Sequence, residues 1–209
     1  MKIGTQKAFT LAEVLVTMGV IGIVAVMTIP VLIQDVGDKQ NIVALKKFYS
    51  EFYQATMLLM VDYSEPVAWD LRDNVATSSD KVVNMYSQQL NMQKICGPDD
   101  PSCFPFPIHS YRTGLPKITE SQYRSWKFRG FMLNNGVTGL IDVNNGSMSV
   151  FVDVNGFKKP NKLGVDVFAW ALNGQGRIVK YTDPSLGRND DAEYDYAFRI
   201  MQDGWTRKY

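Results

Sequence analysis

The sequence predicts an α+β chain in which one long N-terminal helix, apolar in its first half and amphipathic in its second, packs on an antiparallel β-sheet head. Three observations predict it. Phe9 to Ile29 is a run of 21 residues with a single charge, Glu13. Between Gln40 and Asp62 apolar residues recur at helical spacing, and from Gly130 onward short apolar runs alternate with Asn/Gly turns.

Composition narrows the functions available to such a chain. Its 209 residues, 45% hydrophobic and 21% charged, suit one ordinary folded domain beyond the N-terminal run. With 22 Lys plus Arg against 21 Asp plus Glu, the net charge of +1 leaves no electrostatic footprint for nucleic acid. One histidine, His109, and two cysteines are too few for a Cys/His zinc site and thin for histidine acid–base chemistry. A non-enzymatic role is therefore expected, with no cofactor other than a candidate calcium ion.

As a helix, the run from Phe9 to Ile29 would measure ~32 Å, about one bilayer core. A buried helix of a soluble core would be shorter and would show a polar face. Lys2 and Lys7 precede the run, so the positive-inside bias places the leader in the cytoplasm and the rest of the chain across the membrane. A secretory signal would instead have a shorter apolar core followed by a small-residue cleavage site. Here the small residue stands before the apolar run.

The order Lys7-Ala8-Phe9-Thr10-Leu11-Ala12-Glu13, with Pro30 just past the span, resembles the class III leader and first helix of type IV pilins and of type II secretion pseudopilins. That resemblance implies a pilin-like fold and a structural subunit of a pilus-like filament or secretion pseudopilus. It also implies cleavage by prepilin peptidase between Ala8 and Phe9 and methylation of the new amino terminus. The family usually has Gly where this chain has Ala8. The partners implied are the peptidase, other copies of the chain and other pilin-like subunits, and the assembly machinery.

Glu13 is the residue of most physical consequence. A carboxylate deep in hydrocarbon costs about 3 kcal/mol or more. Compensation is available from the freed amine of Phe9 on a neighbouring subunit, which would favour staggered assembly and fix the register. The alternative is a lone Glu that snorkels to the headgroups or stays protonated. Phe9, Glu13 and Pro30 are thus the expected assembly residues.

The chain accordingly divides into a leader at 1–8, a stalk helix at 9–64 with its membrane segment at 9–29, and an extracytoplasmic head at 65–209. Pro30 and Gly37 are soft points at which the helix would bend or loosen. Beyond them Ile42, Leu45, Tyr49, Phe52 and Leu59 form an apolar stripe that needs a sheet to cover, while Lys46, Lys47, Glu51 and Gln54 take other faces. Residues 65–129 are loop-rich, with a short helix expected around Asp80 to Met92. Cys96 and Cys103 bracket a turn-rich stretch and favour a disulfide over free thiols on the oxidising side of the membrane. Six residues lie between them rather than the two of a redox motif. His109, with no second histidine or nucleophile nearby in sequence, is expected at a surface hydrogen bond.

Strands are expected at Phe131–Leu133, Gly139–Asp142, Ser149–Asp153, Val167–Leu172 and Arg177–Tyr181. The turns Asn134–Gly136, Asn144–Gly146 and Asn173–Gly176 supply the positive-φ residues that hairpins require. One face of this sheet would lie on the stalk helix and the other would be left to neighbouring subunits or cargo. Phe198–Tyr209 reads as a last strand or turn, with Trp205 sealing the core. In Asp153-Val-Asn155-Gly156…Asn161…Asp166, which resembles a turn recurring in pseudopilin-like heads, Asp153, Asn155, Asn161 and Asp166 are hard oxygen donors clustered around glycines. Turn capping is the preferred role for them and calcium binding the second. A functional alternative from another class is a membrane-anchored ligand-binding protein or enzyme that does not polymerise; it predicts an uncleaved anchor and a pocket of converging polar groups.

Overall fold

The computed structural model describes residues 10–69, 71, 76–144, 146–181 and 193–208. The predicted processing residues Ala8 and Phe9, and Asn145 of the second predicted turn, lie outside them. The chain forms two compact units, Met1–Lys39 and Gln40–Tyr209. Both contain part of a single helix, α1, from Leu11 to Tyr63.

In the first unit the described residues are helical from Leu11 onward, and the apolar side chains of Leu15, Ile21, Ile23, Val26 and Leu32 are exposed. Helix continues unbroken through Pro30 and Gly37. Pro30 leaves one carbonyl without its intrahelical donor, and the turns on either side carry the helix across.

In the second unit, α1 presents Ile42, Leu45, Phe48, Phe52, Ala55 and Leu59 as its buried stripe. Spacings of three and four residues put these on one face. Phe48, fully buried, takes the place that the sequence pattern gave to Tyr49, which is half-buried. Lys46, Lys47 and Gln54 are exposed, as a stripe one face wide requires.

After α1 come α2 (Ala76–Ser87), β1 (Met92–Cys96), the short strands β2 (Ile108–His109) and β3 (Pro116–Ile118), and α3 (Glu120–Ser125). The main strands follow as β4 (Arg129–Leu133), β5 (Thr138–Asn144), β6 (Ser147–Asp153), β7 (Val167–Leu172) and β8 (Ile178–Val179), and α4 (Tyr196–Gln202) closes the chain. Six strands form one antiparallel sheet in the order β1-β4-β5-β6-β7-β8, and β2 pairs with β3 apart from it. Tight turns at Gly136, Gly146 and Gly176, all at positive φ, join the central hairpins where the Asn/Gly signals stand.

One face of the sheet packs on α1. Phe131, Leu133, Ile141, Val143, Met148, Val150, Val152, Phe168, Trp170 and Leu172 share a core with the helix stripe. Trp170 sits 5.8 Å from Phe48 and 5.7 Å from Phe52 between ring centroids, and Phe52 stacks on Tyr86 of α2 at 4.9 Å. The long helix followed by this antiparallel head is an α+β layout that fits a pilin-like fold.

Three expectations are corrected. The second sheet face is not left open: Leu140, Phe151, Val167 and Ala169 are buried beneath Phe104, Ile108, Ile118, Tyr123, Phe128 and Leu163. All six residues of Val167–Leu172 are buried, so both faces of β7 carry apolar side chains and both need cover. Helix around Asp80 to Met92 instead begins at Ala76 and ends at Ser87, and Met92–Cys96 becomes the edge strand β1. Finally, Phe198–Gln202 belongs to a helix rather than a strand. Buried Tyr196, Ala197 and Ile200 follow helical spacing, and the Trp205 N–H bonds back to Ile200 O at 2.7 Å to end α4. Trp205 itself packs against the core beside Tyr49, as expected of a sealing residue.

Candidate functional site

The first candidate is the start of α1. Glu13 Oε2 accepts from the Thr10 N–H at 2.8 Å and from Thr10 Oγ1 at 2.9 Å, while the Glu13 N–H donates to Thr10 Oγ1 at 3.2 Å. This is a reciprocal capping box, and it satisfies donors that the first turn cannot bond internally. Thr10 was not singled out in the sequence, although Thr-x-x-Glu ahead of an apolar run is the signature that would have found it. Pro30, the third expected assembly residue, lies inside α1.

Cys96 and Cys103 form a disulfide, with their Cα atoms 5.9 Å apart, tying the end of β1 to the following 3₁₀ turn. Gly130, the partner of Cys96 across the β1/β4 ladder, lies against the bridge: a Cβ there would come within 2.9 Å of Cys103 Cβ. The Tyr123 hydroxyl donates to Gly97 O at 2.6 Å and accepts the Gly130 N–H at 3.2 Å. Burial pushes the Tyr123 phenol up to about 12. His109 contributes its backbone here, its N–H donating to Asn161 O at 2.8 Å and its carbonyl accepting from Leu163 N at 3.0 Å.

The turn between β6 and β7 brings Asp153, Asn155, Asn161 and Asp166 together. Asp166 Oδ2 accepts from Asn155 Nδ2 at 3.1 Å and from the Asn161 N–H at 2.9 Å, and its Oδ1 accepts the Lys162 N–H at 2.6 Å. Asp153 Oδ1 accepts the Asn155 N–H at 3.1 Å. Turn capping is thus present, but it uses only part of the oxygen set. Asp153 Oδ2, Asn155 Oδ1 and Asn161 Oδ1 are buried without a hydrogen-bond partner among the described residues, and so is Oγ1 of Thr138. Thr138 stands opposite Asp153 across the β5/β6 ladder, a neighbour that only the strand register reveals. Burial, with the Asp166 carboxylate second, pushes Asp153 up to about 9, and burial raises Asp166 as well.

Against known families, the model of the prokaryotic N-terminal methylation motif matches residues 4–29. The chain carries a prepilin-type leader. That motif is the leader of type IV pilins and pseudopilins, and it takes in Ala8, Phe9, Glu13 and the apolar first part of α1. The prepilin-type segment and the long apolar helix together fit membrane anchoring, and the motif's family is structural rather than enzymatic. No curated protein and no solved structure matches the chain.

Proposed function

We propose that the chain is a structural subunit of a type IV pilus-like filament or a type II secretion pseudopilus. It is made as a single-pass inner-membrane precursor with its N-terminus in the cytoplasm and its head outside. Prepilin peptidase cuts it between Ala8 and Phe9, the new Phe9 amine is methylated, and subunits polymerise through the Phe9–Ile29 helices. The methylation motif over residues 4–29, whose part from Leu11 onward is a helix with exposed apolar side chains, is the observation that carries this reading.

Two forces would drive assembly. Exposed Leu, Ile and Val side chains gain nothing by leaving lipid for an equally apolar neighbour, so close packing and a polar contact must supply the specificity. Glu13 offers that contact. Both Thr10 donors fall on Oε2, and the methylated amine of an adjacent copy would pair with Oε1. In this reading the head performs no chemistry and presents the surface of the filament.

Replacing Glu13 by Val should leave membrane insertion and cleavage intact and reduce incorporation into filaments roughly tenfold or more, since a paired charge in apolar surroundings is worth a few kcal/mol. Glu13→Gln keeps an acceptor for Thr10 and loses the charge. Sheared-filament yield from cells carrying each variant measures this, and wild-type yield from Glu13→Gln removes the ion pair from the mechanism.

A further inference from the structure

We propose that Thr138, Asp153, Asn155 and Asn161, with Asp166 beside them, form a binding site for one calcium ion in the turn between β6 and β7. The site is independent of the filament reading, because it uses nothing from the first helix.

Four oxygens carry it. Asp153 Oδ2, Asn155 Oδ1, Asn161 Oδ1 and Thr138 Oγ1 are buried and unpartnered among the described residues, and Asp153 and Thr138 are themselves fully buried residues, each at 0% exposure. A buried acceptor left open costs about 1–3 kcal/mol, more when it is charged, so four around one turn call for a common occupant. Asn155 and Asn161 are held in place through Asp166. The Asn155 amide gives its Nδ2 to Asp166 Oδ2 and thereby frees its oxygen, while the Asn161 backbone N–H binds the same carboxylate oxygen.

The charge agrees. Two carboxylates, Asp153 and Asp166, share this buried turn, and no Lys or Arg in the ion pairs of the described residues reaches either of them. Lys162, the nearest in sequence, sets its Nζ over the Tyr111 ring at 5.3 Å instead. Carboxylate, amide and hydroxyl oxygens without nitrogen or sulfur are the donor set of a hard cation, and the mixture of charged and neutral donors suits calcium, which takes six to eight oxygens in flexible geometry.

The loop is built to hold its shape without the ion. Gly156 sits at φ 70 with so little room that a Cβ would come within 2.3 Å of Gly136 O. Gly164, at φ 74, lies against the Tyr196 ring, and Asn161 O and Leu163 N are bonded to His109. Donors fixed in advance lose little conformational freedom on binding.

The test uses the full chain in detergent micelles, stripped with chelator and then titrated with calcium chloride or magnesium chloride up to about 10 mM, a range that covers extracellular calcium modules. Metal content after equilibrium dialysis should reach one calcium per chain. The Tm should rise by roughly 5 °C at calcium about a hundredfold above Kd, and magnesium should do less. Asp153→Asn, isosteric with the native side chain, should weaken calcium binding at least about tenfold. Lys158→Ala, at an exposed position of the same loop, should leave it unchanged. No uptake and no Tm change in the stripped wild type would mean that the open oxygens hold water only, and would overturn the proposal; so would equal uptake by a folded Asp153→Asn. If that variant does not fold, the wild-type stoichiometry and Tm decide.

Discussion

Thr10 and Glu13 exchange hydrogen bonds in both directions at the start of α1, so the acidic side chain serves its own helix beside the intersubunit role proposed for it. Those two roles separate by mutation. Thr10→Val removes the hydroxyl of the cap and leaves the carboxylate; it should cost the helix end about 1 kcal/mol and change filament yield far less than Glu13→Gln does. Filament yields of the two variants measured side by side check this. Within the head, Arg129 is almost fully buried and meets Asp80 of α2 in a two-pronged pair, its Nη2 at 2.9 Å from Oδ2, while Nη1 bonds Lys127 O at 2.9 Å. The hydrogen bond from Arg129 holds the Asp80 carboxyl below its usual range. A depressed folded pKa adds stability above the unfolded value, near 3.9, and that stability is lost as the pH falls through the folded value. Asp80→Asn should therefore destabilise the head by about 1 kcal/mol at pH 7, because it exchanges a charge-assisted pair at a half-exposed carboxylate for a neutral hydrogen bond, and flatten the acid side of the stability curve. Urea denaturation from pH 7 down to pH 3 reads both effects.

Among the elements, α1 was the most legible, because apolar residues at helical spacing over 40–62 have no other good placement. Phe52 marks its energetic centre, stacked on Tyr86 and edge-on to Trp170; Phe52→Ala should cost about 3–5 kcal/mol, measured as a shift in denaturation midpoint at constant m. Strands β4 to β7 were legible for a similar reason, each short apolar run being bounded by an Asn/Gly turn. Helix α4 was not: a buried Tyr-Ala-x-x-Ile spacing over one and a half turns is too short to outweigh its aromatic, strand-like composition. Edge strand β1 was hidden as well, since Gln93, Lys94 and Ile95 are exposed and only Cys96 is fully buried. The Cys96–Cys103 bridge closes a short loop onto that strand, so its removal by Cys103→Ser should cost about 2–3 kcal/mol on the chain-entropy account. Thermal melting of the variant beside the oxidised wild type measures that loss.

For the molecule as a whole, the apolar N-terminal segment that fits membrane anchoring and the fold class were legible in the sequence, but how the second sheet face is covered was not. Phe104, Ile108, Ile118 and Phe128 come from the stretch 65–129 that reads as loop-rich, and they bury Phe151 and Leu140 instead of leaving them for a partner. No local periodicity announces this, because such residues pack one at a time from irregular backbone. The β6–β7 turn was half legible: Asp153, Asn155, Asn161 and Asp166 stood out by type, whereas Thr138 entered only through strand register. The first helix was legible because its chemistry is local, a basic and a small residue followed by Phe, four further residues to a carboxylate, and hydrocarbon thereafter. Its role as a processed, polymerising segment is the central claim, and the mass of the N-terminal peptide of protein taken from sheared filaments or membranes tests it most directly. The account predicts a mature chain that begins with N-methylated Phe9 and lacks Met1 to Ala8. Filaments built from chains that retain those eight residues would contradict it.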